Sequence, residues 1–244
     1  MAKTSRVDIL LTKKGLAPSR EKAKILIMAG EIYVGSERVT RPDRKIGEDA
    51  HIEVKTNPMP YVSYGGVKLE KAVDAFSLNV KGKKVIDIGS STGGFTDCLL
   101  QRSASMVYAV DVGTHQLHEH IRQDKRVVVK ENFNARYLTP EDIGDKADII
   151  TIDVSFISLK KILPVTLPLL NSNGFVVSLI KPQFEVGRYE VGKVGIVKND
   201  EKVRTAIEDI KAFGRGLGLK PINECEAPRE KERKNREYFV LWAL

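Results

Sequence analysis

The run Val85-Ile86-Asp87-Ile88-Gly89-Ser90-Ser91-Thr92-Gly93-Gly94-Phe95-Thr96-Asp97 constrains this chain more than any other stretch. Val85 to Ile88, apolar but for Asp87, reads as a buried strand, and Phe95 to Leu100 can continue as a helix after a glycine-bearing turn. Strand, glycine turn and helix in that order make a ligand pocket at the edge of an open α/β sheet. The turn presents backbone N–H groups at a helix N-terminus, and glycine admits a ligand close to the main chain. An acidic partner for ribose hydroxyls is expected roughly twenty residues on, at the tip of the next strand. Met106-Val107-Tyr108-Ala109-Val110 ends there, at Asp111.

The turn lacks a Gly-Lys-Ser/Thr ending, so it is not a phosphate-gripping Walker loop, and its glycines are not spaced as in the pyrophosphate-binding fingerprint. Asp87-x-Gly89 followed by Gly93 instead resembles the first motif of S-adenosylmethionine-dependent methyltransferases, whose ligand carries an amino-acid tail and a sulfonium. That resemblance implies S-adenosyl-L-methionine as cofactor, held by Asp87, Gly89, Ser91, Gly93, Gly94, Phe95 and Asp111.

The α/β alternation continues beyond the turn. Helices are expected over His115 to Arg122, Ile157 to Leu170 (kinked or split by Pro164 and Pro168) and Lys202 to Gly214. Strands are expected over Arg126 to Lys130, Asp148 to Asp153 and Gly174 to Ile180, with Leu219 to Cys225 and Glu237 to Trp242 pairing as a terminal hairpin. The fold class is α/β, a Rossmann-like, doubly wound, mostly parallel sheet with ligands at the carboxyl ends of its strands. The glycine-containing stretch 187–199 suggests a mobile loop over the site, and the charge run 228–234 an exposed one. A hydrophobic share of 42% supports a real core. No apolar run approaches a membrane span and the charged opening carries no signal-peptide pattern, so a cytoplasmic protein without membrane contact is expected. Cys98 and Cys225 read as reduced thiols, and no metal cluster is expected.

The first 55 residues read as a separate α+β unit. Val7, Leu10 and Leu11 recur at helical spacing up to Gly15; Ser19 can cap a second helix, Arg20 to Ala29; a hairpin turns at Gly35-Ser36, and His51 to Val54 closes the sheet. Seven cations fall within the first 24 residues against Asp8 and Glu21. Cations gathered on short helices suit a phosphate-binding face, and a solvated helix surface explains them equally well. Ser19-Arg20-Glu21-Lys22-Ala23-Lys24, Leu26 to Gly30 and Ile32-Tyr33-Val34 resemble the small RNA-binding domain named after the fourth small-subunit ribosomal protein. The resemblance implies an RNA face that includes Arg6, Lys13, Arg20, Lys22 and Lys24. The organisation expected is therefore 1–55 for RNA binding, a proline-bracketed linker at 56–60, and 61–244 for methyl transfer.

Asp153 and Lys181 end strands on the cofactor edge, whereas the Asn/Asp-Pro-Pro-Tyr of amino-methyltransferases and a cysteine placed as a nucleophile are absent. A lysine with carboxylates suits a ribose hydroxyl, a poor nucleophile until its proton is removed. A lysine takes that proton when burial or a neighbouring cation favours its neutral form. Lys68, Asp153, Lys181 and Glu237 match in order the lysine–aspartate–lysine–glutamate set of ribose 2′-O-methyltransferases of the RrmJ/FtsJ type, which implies a catalytic role for all four. Over nearly the whole chain, Tyr61-Val62-Ser63, Gly65-Gly66, Val110 to Gly113, Asp153 to Ser158, Lys181 to Glu185 and Asn235 to Tyr238 resemble the TlyA family. Tyr64, Val194 and Lys234 depart from that family's pattern. The family implies methylation of cytidine 2′-hydroxyls in ribosomal RNA, with ribosomal subunits as partners; nothing in the sequence fixes an oligomeric state. Two other readings compete: a non-catalytic RNA-binding assembly factor, and a haemolytic pore former.

Overall fold

The computed structural model describes residues 3–28, 30–55, 59–187, 191–192, 195–230 and 234–244. The chain forms two compact units, Met1–Pro58 and Met59–Leu244. Of the expected linker, residues 56–58 lie outside the described residues, as do Ala29, Val194 and parts of the 187–199 and 228–234 loops.

In the first unit β1 (Thr4–Arg6) leads into α1 (Val7–Lys13), followed by α2 (Arg20–Met28), β2 (Ile32–Val34), β3 (Glu37–Val39), β4 (Lys45–Gly47) and β5 (Ile52–Val54). Val7, Leu10 and Leu11 of α1 meet Ala23 and Ile27 of α2 over Ile32, all essentially without exposure. Ser19 Oγ accepts the Lys22 N–H at 3.2 Å, the cap that starts α2. Strands order antiparallel as β3-β2-β5, and β1 pairs separately with β4. The sequence carries no signal for that second pair, because three-residue strands are too short to show an alternation.

The second unit contains α3 (Tyr64–Ala75), β6 (Lys84–Ile88), α4 (Gly94–Gln101), β7 (Met106–Val110), α5 (Glu119–Arg122), β8 (Val127–Lys130), α6 (Pro140–Ile143), β9 (Ala147–Ile152), α7 (Leu163–Leu169), β10 (Leu170–Ile180), α8 (Pro182–Glu185), α9 (Asp200–Gly216), β11 (Lys220–Glu226) and β12 (Tyr238–Ala243). The strands make one sheet in the order β11-β12-β10-β9-β6-β7-β8, parallel from β10 to β8 and antiparallel at β12 and β11. The order in which successive strands are added reverses between β6 and β9, the place where open α/β sheets bind ligands. Helix α9 shows why the long elements were legible: Val203, Ala206, Ile207, Ile210 and Gly214 form one buried stripe, and Asn199 Oδ1 accepts the N–H groups of Glu201 and Lys202. Gly214 lies against Trp242, where an added Cβ would sit 2.4 Å from the indole ring.

One expectation needs correction. His115 to Arg122 is helical only over Glu119–Arg122; His115 sits at φ 53°, and the Glu131 carboxylate accepts the N–H groups of His115, Gln116 and Leu117 that a helix would have left free. Gly65 and Gly66 lie in the first turn of α3. A Cβ on Gly66 would meet the Tyr61 ring at 2.2 Å, and one on Gly65 would touch Phe95. The segment with Pro164 and Pro168 is split, as expected, into a 3-10 turn at Leu159–Lys161 and α7, and β10 starts at once at Leu170.

Candidate active site

Two open clefts run along the carboxyl edge of β6, β7 and β9 and share Gly89, Ser91 and Asp153. The first is lined by Ser63, Thr92, Gly94 and Phe95, and by Lys68 and Glu237. The second runs past Asp111 toward the apolar Val112, Phe133 and Ile157. Such a pair fits an elongated ligand with a polar tail and a flat ring at opposite ends.

The glycines of the turn mainly make room for the protein itself. Gly89 has φ +85°, and a Cβ there would stand 2.3 Å from the Asp153 carbonyl oxygen. Gly93, at φ +94°, abuts Leu117, and Gly94 abuts Ser63 and Gly66. Gly89, Ser91, Gly94 and Phe95 border the first cleft; Gly93 supports it from behind. Asp111 stands in the second cleft and accepts the Ser91 N–H at 2.8 Å and the Gly113 N–H at 2.7 Å, so it also ties the turn to the end of β7. Asp87 is not brought to either cleft. It has no exposure, and accepts hydrogen bonds from Thr96 Oγ1 at 2.7 Å and Thr151 Oγ1 at 2.9 Å. Burial drives its carboxyl up to about 7 against the pull of the two threonines, with the nearby Asp153 charge adding to the rise.

Lys68, Asp153, Lys181 and Glu237, separated by up to 169 residues, come together as two ion pairs. Lys68 Nζ lies 2.6 Å from Glu237 Oε2, and Lys181 Nζ lies 2.5 Å from Asp153 Oδ1. Lys68, Asp153 and Glu237 line the first cleft; Lys181, 9% exposed, stands behind Asp153. The sequence pointed to these four but not to the side chains around them. Ser155 Oγ accepts from Lys181 Nζ at 2.9 Å, and Gln183 Nε2 reaches Glu237 Oε1 at 3.5 Å. Phe156 is 91% exposed at φ 62°, with its ring 5.1 Å from that of Phe184. All three lie within stretches that carry the family resemblance, yet no periodicity or spacing marks them individually. Of the departing positions, Tyr64 and Lys234 line the first cleft.

In the first unit the candidate RNA-face cations are not equivalent. Arg6 and Arg20 both bond Asp8, at 3.0 and 2.9 Å, and Asp8 has no exposure. Burial works to raise the Asp8 carboxyl, and the two guanidiniums outweigh it and hold it below its usual range. Lys13 lies 3.7 Å from Glu48, while Lys22 and Lys24 are exposed on α2.

Residues 61–243 match the FtsJ-like methyltransferase family. The chain belongs to that family. Residues 5–52 match the S4 domain, so an RNA-binding-type module precedes the methyltransferase domain. Hemolysin A of Brachyspira hyodysenteriae is 43% identical over 98% of this chain and 100% of that protein. The 16S/23S rRNA (cytidine-2′-O)-methyltransferase TlyA of Mycobacterium tuberculosis is 39% identical over 99% of this chain and 90% of its own length. Among solved structures, "Putative hemolysin from Streptococcus thermophilus" superposes with a TM-score of 0.76 at 42% identity, covering 99% of this chain and 89% of that one. The FtsJ-like membership agrees with the expectation drawn from the lysine–carboxylate set. Among the described residues no helix is long and apolar enough to cross a membrane.

Proposed function

We propose that this chain is an S-adenosylmethionine-dependent methyltransferase of ribosomal RNA that modifies a ribose 2′-hydroxyl, with cytidine as the nucleoside. The observation that carries the reading is the convergence of two lysine–carboxylate pairs on a cleft that adjoins the glycine turn. The names of the relatives support the RNA and the nucleoside, and the S4 domain supports docking on ribosomal subunits.

The clefts fit the cofactor: Asp111 suits a ribose diol, Val112 and Ile157 an adenine ring, and the Ser63–Thr92 side the amino-acid tail. S-adenosylmethionine bound there would supply an electrophilic methyl for the ribose oxygen, with the electron pair of the broken carbon–sulfur bond staying on sulfur. The Lys181 amine takes the hydroxyl proton at Nζ, and Asp153 balances the ammonium so created. Lys68, held by Glu237, adds a second cation at the acceptor's side of the cleft. Phe156 offers an exposed aromatic face on which the base of a splayed-out nucleotide can stack. Gly93 and Asp87 act through the turn they support rather than by contact. With rRNA as its substrate, the protein works in the cytoplasm.

The deciding experiment incubates the protein with labelled methyl donor and unmodified ribosomal subunits and maps the label. Lys181→Ala keeps cofactor affinity by calorimetry and loses methyl transfer. Transfer surviving that change would remove Lys181 as the base.

A further inference from the structure

The Lys181–Asp153 contact is short, but among the described residues Asp153 Oδ1 has no partner with hydrogen-bond angles. Asp153 therefore holds the ammonium form of Lys181 by charge and does not fix its rotation, because a Coulombic attraction is nearly indifferent to rotation about the terminal C–N bond of a lysine. A lysine nitrogen has three positions to distribute, all N–H in the ammonium and two N–H plus a lone pair in the amine. For Lys181 to receive a hydroxyl proton, the lone pair must face the cleft rather than the protein. Among the described residues, the directional contact of Lys181 Nζ is with Ser155 Oγ, at 2.9 Å. Ser155 is exposed, borders the second cleft, and lies two residues beyond Asp153 on the chain that leaves β9.

We propose that Ser155 is a positioning residue for methyl transfer: by accepting one N–H of Lys181 it fixes the rotation of that amine. With one N–H on Ser155 and a second facing Asp153, the remaining position is left for the acceptor hydroxyl. The inference rests on the reading of Lys181 as the base, and it assigns Ser155 no contact with either substrate. Because Ser155 is exposed, its replacement costs little stability, and the hydroxyl alone carries the effect.

Full-length Ser155→Ala and Ser155→Thr chains test it. With unmodified ribosomal subunits, Ser155→Ala is expected to lower kcat about tenfold, the scale of one hydrogen bond to a charged group. KM for the subunits and calorimetric affinity for S-adenosylmethionine stay within about twofold, and Ser155→Thr, which keeps the hydroxyl, recovers most of the rate. A second readout uses the cofactor-free protein: acylation of Lys181 by an N-hydroxysuccinimide ester, followed by mass spectrometry, speeds up in Ser155→Ala and not in Ser155→Thr. Equal kcat in Ser155→Ala and the parent chain, or a loss confined to KM, overturns the proposal, the latter by making Ser155 an RNA contact. If the parent chain binds cofactor and leaves ribose unmethylated, the functional reading fails instead. The acylation contrast then still decides whether Ser155 tethers Lys181.

Discussion

Asp87 has no exposure and borders neither cleft. Its letter in the motif resembles a cofactor ligand, but β6 is a central strand covered on both faces, so the alternation that exposes every second residue at a sheet surface has no meaning there. Its carboxyl points into the protein and joins β6 to α4 through Thr96 and to β9 through Thr151. The consequence is a pH dependence. A carboxyl ordinarily near 3.8 that sits at about 7 when folded binds its proton more tightly in the native state. Its contribution to stability is therefore full below the unfolded value and is lost as pH rises toward and through 7. Asp87→Asn cannot ionise and can keep both threonine contacts. Urea unfolding is expected to show the parent chain losing stability between about pH 4 and pH 7, by at most about 4 kcal/mol, while Asp87→Asn stays level. Parallel profiles for the two chains would rule out the protonated form. The residues that the sequence did locate, Lys68, Asp153, Lys181 and Glu237, were legible because a four-position pattern survives without knowledge of side-chain direction. Ser155 and Gln183 were not, because their role is to touch two of those four, and contact is not written in spacing.

At the level of elements, the strands and long helices followed from local pattern, and the failures are those where a distant group overrode it. The stretch from His115 has helical periodicity, but Glu131, at the end of β8, collects three consecutive backbone N–H groups and the Arg122 guanidinium at 2.7 Å. Burial alone would raise the Glu131 carboxyl; Arg122 and the backbone donors hold it at about 2 instead. The anchored loop carries Gln116 to the second cleft and sets Leu117 against the bare face of Gly93. Glu131 thus shapes both the ring end of the proposed cofactor site and the turn beside it. Glu131→Gln removes the charge that Arg122 and the three amides share. Affinity for S-adenosylmethionine is expected to fall about tenfold by calorimetry, the scale of a charge-assisted contact. Amide exchange at His115 to Leu117 is expected to rise in the same variant. Unchanged affinity together with unchanged protection would show that the loop holds its shape without the carboxylate.

For the molecule as a whole, a formal net charge of +8 suggests a polyanion but not where it binds. The first unit narrows that, because its cations divide into those with buried work and those without. Arg6 and Arg20 compensate Asp8, and removing either leaves a buried carboxylate with half its partners, so loss of RNA binding after Arg20→Gln would be mixed with loss of the fold. Lys22 and Lys24 are exposed on α2 and can be neutralised at little cost to stability. If they meet phosphates, neutralising each lysine takes about 0.7 to 0.9 from the slope of log K against log salt. Lys22→Gln/Lys24→Gln is therefore expected to weaken binding to ribosomal RNA and to flatten its salt dependence by about 1.5, while affinity for S-adenosylmethionine is unchanged. Binding isotherms at several potassium chloride concentrations measure both quantities. A weaker isotherm with an unaltered slope would mean that the two lysines act through something other than phosphate, and an unaltered isotherm would move the RNA face away from α2.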